Sequence, residues 1–431
     1  MNSIRNPQAP AARGMKVFID LYCCSRREIE TQKIYTYLRQ NDYAVVRDPA
    51  KADYIILMTC GATKGIANVS FNLIEKYKKY QAEMIVAGCI PETHKVELEK
   101  IFTGKTLSIK NLDKIDESLP KITKKFKEIP EVNARWESLN DRSFKGIIKR
   151  VHTHVHLLRK VDLFIFNTIV RKVLGKNFYI TYPFDRILPE TNQFNILISR
   201  GCIHNCTYCI IKKGIGTLHS KPPEQCLKEV SCGLQQGFRS FVLDSDDSGP
   251  YGIDIGTSLP CLLRMMMDIK DPFTVKISHS HPRWLIKYGS ELDDIFKQKR
   301  VNNIFASVQS GNDRILRLMG RPYATKDLVR VLTAFKKSNS DLKIGVDLII
   351  GFPSETEEEF LDTLRLFNDV HFDYGIIFQF SCHEGTKAST FDPKISKQVV
   401  DQRMMVALRF LKKNKYFAWR FHNRALCFYA R

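Results

Sequence analysis

The stretch FNILISRGCIHNCTYCII, Phe194 to Ile211, decides how the rest of the chain is read. FNILIS is a short apolar run of strand type, and it leads straight into Cys202, Cys206 and Cys209. The C-x3-C-x2-C spacing sets three thiols on one compact loop. A cubane [4Fe–4S] cluster has four irons and takes thiolates as its usual ligands, so three thiolates leave one iron open. That iron can chelate the amino and carboxylate groups of S-adenosylmethionine (SAM). One electron then cleaves the sulfonium to release a 5′-deoxyadenosyl radical, chemistry that belongs to the cofactor. Tyr208, just before the third cysteine, supplies an apolar wall that limits solvent. Zinc is the competing reading, with His204 as its fourth ligand, but zinc normally takes paired C-x2-C or Cys/His sets. The x3 spacing, the strand before it and the α/β units after it all favour the cluster.

Downstream of the loop, SFVLDS, FTVKIS, IFASVQ, KIGVDLII and YGIIFQF read as strands with helical segments between them. With FNILISR they make six α/β units from Gln193 to about Ser389, which predicts a parallel partial barrel open on one side. Upstream, KVFIDLY, DYIILMT (Asp53–Thr59) and MIVAG (Met84–Gly88) alternate with helical patterns at Glu28–Gln40 and Ala67–Tyr80. That alternation predicts a parallel sheet covered by helices. Cys24, Cys60 and Cys89 each follow the carboxyl end of one of these strands, the edge where open α/β sheets bind ligands. Three thiolates can converge there; inert buried thiols are the alternative. Cys23, Cys226, Cys232, Cys261, Cys382 and Cys427 show no grouping and read as small buried hydrophobes. Three strand ends add candidates around the barrel mouth. Asp246 and Asp247 follow SFVLDS and either orient a ligand or cap the next helix. Gln309, Ser310 and Gly311 close IFASVQ, as a ligand loop or a plain βα turn. Gly351, Phe352 and Pro353 follow KIGVDLII, where Gly permits close backbone approach to a ligand.

The 431 residues carry 67 Lys/Arg against 46 Asp/Glu, a formal net charge of +21. Such an excess points to an anionic partner, nucleic acid first, with a basic host proteome as the plain alternative. No run reaches the roughly 18 to 20 apolar residues of a bilayer span, and MNSIRNPQAPAARGMK lacks a signal-peptide core. The expectation is a cytoplasmic protein with no membrane partner, whose twelve cysteines are held reduced. The chain divides into a disordered start (1–15), an α/β domain (16–119), a basic linker or insertion (120–190), the barrel (191–389) and a basic aromatic tail (390–431). The linker holds fifteen Lys/Arg against seven acids, a net of +8. Its alternating His152, His154 and His156 read as a solvent- or RNA-facing strip, with a metal site as the alternative. The tail opens helical and then lacks a run of alternating short strands. It either stacks bases or forms an amphipathic helix over the barrel's open edge.

GCIHNCTYC followed by six α/β units resembles the radical SAM superfamily, and the wider pattern resembles its methylthiotransferase branch. The pieces are Thr59–Cys60, AGC (Ala87–Cys89), GTLHSKPPE (Gly216–Glu224), DSGPYGIDIGTSLP (Asp247–Pro260), VQSGNDRIL (Val308–Leu316) and DLIIGFPSETEEEF (Asp347–Phe360). GTLHSKPPE and YGIDIGTSLP look most like the archaeal and eukaryotic enzymes acting on N6-threonylcarbamoyladenosine in tRNA. The resemblance implies an α/β fold, an N-terminal flavodoxin-like parallel sheet domain followed by a radical SAM partial (βα)6 barrel. It implies two [4Fe–4S] clusters, one on Cys202, Cys206 and Cys209 and an auxiliary one on Cys24, Cys60 and Cys89. It also implies two SAM molecules per turnover, tRNA as partner, and an electron donor such as flavodoxin or ferredoxin. Tyr208, Asp246, Gln309, Ser310, Gly351, Phe352 and Pro353 would then lie on the SAM side. Arg27 stands where the family expects Asn, and the small tRNA-gripping β-barrel expected after the radical domain has no counterpart of its length. That second departure keeps a peptide or protein substrate open, and a non-catalytic RNA-binding relic is the remaining alternative.

Overall fold

Five short strands form the first sheet in a computed structural model that describes residues 14–133, 193–421 and 425–430. They are β1 (Lys16–Leu21), β2 (Ala44–Val46), β3 (Tyr54–Thr59), β4 (Glu83–Gly88) and β5 (Lys105–Ser108). All pair in parallel in the order β2-β1-β3-β4-β5, the flavodoxin-like arrangement. Ile55 to Met58 and Ile85 to Ala87 have no exposed surface, as expected of strands covered on both faces. Helices α1 (Ser25–Gln40) and α2 (Lys64–Tyr77) are two of the helical connections. The first residues of the basic segment also pack on this unit. Phe126 stacks edge-on against Tyr37 with ring centres 5.5 Å apart, and the Asn41 side chain accepts from the Thr123 and Lys124 amides. The three alternating histidines lie outside the described residues.

The second compact unit is built on β6 (Gln193–Leu197), β9 (Ser240–Asp244), β10 (Thr274–Ser280), β11 (Val301–Gln309), β12 (Lys343–Ile350) and β13 (Tyr374–Gln379). These six are parallel and lie in chain order, as expected of a partial (βα)6 barrel. Two residue-pair strands, β7 (Ser199–Arg200) and β8 (His219–Ser220), make a small separate ribbon. Along the barrel strands the period of two sorts side chains by face. Val275, Ile277, Ile304, Ala306, Val308, Ile344, Val346 and Leu348 join the helices in the main core. Asp244, Ser278, Ser307 and Asp347 fall on the opposite face. There the Ser278 hydroxyl donates to Asp244 at 3.1 Å. The barrel thus has one apolar wall and one polar wall.

The end of the chain differs from the sequence reading. Helix Lys397–Lys413 forms as expected, but it is followed by two strands, β14 (Tyr416–Phe421) and β15 (Ala425–Ala430). They make an antiparallel hairpin, and β15 pairs antiparallel with β13, so the tail extends the barrel sheet. Alternation was hidden because both hairpin faces carry apolar residues. Tyr416, Leu426 and Phe428 enter the main core, and Phe417 stacks on Tyr429 on the other face with ring centres 4.9 Å apart. An unpaired edge on β13 would be a template for association; the hairpin covers it.

Candidate functional site

The Cys202–Cys209 loop leaves β6 at its carboxyl end and is tied down at several points. The Gly201 amide donates to the Asp246 carboxylate at 2.9 Å, and the Cys202 amide donates to the Gly216 carbonyl at 3.3 Å. The Lys212 ammonium donates to the Cys202 carbonyl. Farther along, the Thr207 amide and hydroxyl donate to the Met319 and Leu318 carbonyls, and the Thr207 carbonyl accepts from the Ala388 amide. Helix α3 (Asp313–Leu318) ends beside this loop. Gly320, with φ +73°, allows that approach: a first side-chain carbon there would lie 3.0 Å from the Asn205 carbonyl oxygen. The loop is therefore a fixed platform.

All three thiols are half-buried. Burial, and secondarily Asp247, pushes the Cys202 thiol up to about 12. Burial and the neighbouring Cys206 push Cys209 up to about 11. Cys202 thus feels Cys209 and Cys206 as like charges, and Cys209 feels Cys206, as expected of thiols gathered on one loop. Among the described residues no three His, Cys, Asp or Glu side chains form a ready-made metal cage. What fits a [4Fe–4S] cluster is the donor chemistry: three soft thiols on a fixed loop, with a buried guanidinium facing one of them. Binding would displace the thiol protons, as metal binding to cysteines does.

That guanidinium belongs to Arg321, which carried no signal in the sequence. It is 3% exposed and donates to Cys206 Sγ at 3.3 Å and to the Tyr208 hydroxyl at 3.4 Å. It also donates to the Ser307 carbonyl. The Asp347 carboxyl lies within its electrostatic reach, accepts from Gln309 and Ser307, and is pushed up to about 6 by desolvation. His204 and Asp247, named separately from the sequence, belong to one group with Trp284 and His281 that the sequence did not reveal. His204 Nε2 lies 3.0 Å from Asp247 Oδ2 and 2.9 Å from the Trp284 indole N–H, and its ring stacks on His281 at 4.0 Å. Asp247 in turn accepts from the Gly249 and His281 amides. This assembly brings together residues up to 80 positions apart, so only the folded chain reveals it.

The expected SAM-side residues divide into two groups. Tyr208 is part of the loop, Asp246 accepts from its Gly201 amide, and Gln309, with φ +75°, hydrogen-bonds Asp347 on the polar wall. The others are absorbed by packing. Ser310 has no exposed surface, its hydroxyl accepts from the Asn312 amide, and Gly311 donates to Thr363 of helix α4 (Glu357–Asp369). Gly351 has φ +82°, and a first side-chain carbon would meet Val400 of α5 (Lys397–Lys413) at 2.6 Å. Phe352 is fully buried with Ile315, Met319, Ile349 and Ala388, and Tyr208 packs against that cluster. Pro353 is buried beside it. The Gly351–Pro353 turn thus supports Tyr208 from behind.

In the first unit, Cys24, Cys60 and Cys89 follow β1, β3 and β4, three adjacent strands, at the same sheet edge. Cys60 exchanges hydrogen bonds with the Ser70 hydroxyl, and the Cys89 amide donates to the Thr59 carbonyl at 3.0 Å. Cys24 caps α1 and is half-buried, whereas Cys23 is 4% exposed. Burial pushes the Cys23 thiol up, with Cys24 and Cys89 adding to it. Arg27 is 1% exposed and pairs with Glu30 at 2.9 Å.

Residues 196–367 match the Radical SAM superfamily, and residues 16–109 match Uncharacterized protein family UPF0004. The barrel and its three-cysteine loop therefore carry the match to the radical SAM class, whose fold implies SAM and a [4Fe–4S] cluster. The chain is 26% identical over 382 residues to a probable threonylcarbamoyladenosine tRNA methylthiotransferase of Pyrococcus horikoshii, covering 87% of this chain and 79% of that one. It is 28% identical over 397 residues to the threonylcarbamoyladenosine tRNA methylthiotransferase of Xenopus laevis, covering 91% and 65%. It is 27% identical over 408 residues to the ribosomal protein uS12 methylthiotransferase RimO of Thermotoga sp. (strain RQ2), covering 90% and 81%. Together the two matched domains and these relatives support a transferase, a radical SAM methylthiotransferase similar to the archaeal and eukaryotic enzymes so named. The fold is shared with the radical SAM methyltransferase TsrM of Kitasatospora setae, at TM-score 0.55 and 11% identity over 97% of this chain and 86% of that one.

Proposed function

We propose that this enzyme inserts a methylthio group at C2 of N6-threonylcarbamoyladenosine next to the anticodon of tRNA, using two [4Fe–4S] clusters and two SAM molecules. The single observation that carries the proposal is the pair of cysteine trios, each at the carboxyl edge of its own parallel sheet, inside the two matched domains. Cys202, Cys206 and Cys209 would hold the SAM-binding cluster, and Cys24, Cys60 and Cys89 the auxiliary one. Bound there together with SAM and given one electron from a donor, these groups would supply a 5′-deoxyadenosyl radical able to take hydrogen from an unreactive ring carbon, and the sulfur of the methylthio group. The protein's part is positioning. Asp246 and Thr207 fix the loop, Tyr208 and the apolar residues behind it exclude water, and Arg321 faces the Cys206 sulfur. The net charge of +21 suits a polyanionic substrate. An electron donor such as flavodoxin or ferredoxin would reduce the cluster. No described helix is long and apolar enough to cross a membrane.

A protein side chain is the second reading, favoured by the near-equal identity to the uS12 enzyme. Comparing nucleosides from bulk tRNA of cells with and without the gene separates the two. Loss of a methylthio-nucleoside, restored by the wild-type chain but not by Cys202→Ala or Cys60→Ala, is the expected result. An unchanged nucleoside profile would remove the tRNA reading.

A further inference from the structure

The Arg321 guanidinium joins the cluster loop to the polar wall. Its backbone is fixed by the Gly320 turn, and the Arg321 amide donates to the Leu316 carbonyl at 2.8 Å. One terminal nitrogen is shared between Cys206 Sγ and the Tyr208 hydroxyl, and the other donates to the Ser307 carbonyl. None of these partners is a carboxylate. Its Nε is buried and without a hydrogen-bond partner. Asp347, across the wall, approaches it without a hydrogen bond between the two, and Asp347 Oδ1 is likewise buried without a partner. Burying a charge is costly unless something repays it. Here the repayment faces the sulfur of a metal-binding cysteine.

We propose that Arg321 is a positioning residue that raises the reduction potential of the cluster held by Cys202, Cys206 and Cys209. This rests on the assignment of those three cysteines as ligands. The physical ground is charge. Reduction of a [4Fe–4S] centre adds one electron and moves no heavy atom, so the product is more negative by one unit. A fixed cation 3.3 Å from a ligand sulfur, buried away from solvent, stabilises that product more than the oxidised form. Hydrogen bonds to the ligand sulfurs and local net charge are the protein's means of setting such potentials. An Arg serves here because its planar guanidinium reaches Cys206 Sγ, the Tyr208 hydroxyl and the Ser307 carbonyl at once.

The test is a potentiometric titration of full-length protein, purified without oxygen and loaded with iron and sulfide. Dithionite is the one-electron donor, and electron paramagnetic resonance reports the reduced state. The Cys60→Ala background confines the signal to the 202–209 loop. Relative to that parent, Arg321→Met should shift the midpoint downward, lowering the reduced-to-oxidised ratio at fixed potential at least tenfold, which is about 59 mV for one electron. Arg321→Lys should keep more than half of the parent's advantage, because it retains the charge. Unchanged midpoints in a loaded Met variant overturn the proposal, and so does a Lys variant as low as Met. Should the Met variant fail to load, Arg321→Gln is titrated in its place. If neither neutral variant loads while both melt with the parent, Arg321 acts in assembly and the proposal falls. A parent that takes up no iron would instead defeat the ligand assignment itself.

Discussion

Glu355 shows how one buried side chain can make stability depend on pH. Its carboxylate accepts from the Gly351 amide at 2.7 Å and from Arg403 at 3.0 Å. Even so, burial pushes it up from the ordinary 4.5 to about 7, against the pull of those two donors. Because the folded state then holds this proton more tightly than the unfolded chain, the group's contribution is full below about pH 4.5 and is lost as pH rises through 7. The span corresponds to roughly 3 kcal/mol at most. Glu355→Gln cannot titrate, so the stability of wild type relative to this variant should fall as pH rises from 5 to 8. Urea midpoints at those pH values read the slope, and a constant difference would show that Glu355 does not titrate there. Residues of this kind also mark what the sequence could not say. The C-x3-C-x2-C loop was legible because its three cysteines are neighbours in the chain. Arg321 was not, nor was the joining of His204 and Asp247, each visible singly, to Trp284, because these residues come from separate βα units.

Elements were legible where their pattern was clean. The six parallel barrel strands and the three core strands of the first sheet follow the apolar runs. Short edge strands β2 and β5 escaped because three or four residues carry too little pattern to separate strand from loop. The terminal hairpin escaped for the opposite reason, an apolar residue at nearly every position. Its structural weight predicts a sharp asymmetry between its faces. Phe428 is fully buried, with Phe367 and Tyr416 edge-on at 5.2 and 5.4 Å. Phe428→Ala removes a large ring from a core that cannot close over the gap, and should cost about 3–5 kcal/mol. Phe417 is 46% exposed, so Phe417→Ala should cost less than half as much. Urea denaturation of the two variants measures the contrast. Equal losses would mean that the outer aromatic face is as well packed as the inner one.

At the scale of the whole chain, the two cysteine trios lie in two separate compact units. Each loop is held by hydrogen bonds within its own unit: Asp246 and Thr207 for one, Ser70 and Thr59 for the other. Loss of one trio should therefore leave the other able to bind iron. Anaerobic wild-type protein, reconstituted with iron and sulfide, should hold about eight irons per chain, two cubane clusters' worth. Cys202→Ala and Cys60→Ala should each hold about four, half of that complement. The two variants should then diverge in chemistry. Cys60→Ala keeps the barrel loop and should still cleave SAM to 5′-deoxyadenosine, while failing to insert sulfur. Cys202→Ala should do neither. The deciding measurements are iron content and 5′-deoxyadenosine yield, taken on the same preparations. If Cys60→Ala kept the full iron complement, Cys60 would not be a ligand. Cys23, the more buried of the two adjacent thiols and within electrostatic reach of Cys89, would be the next residue to replace.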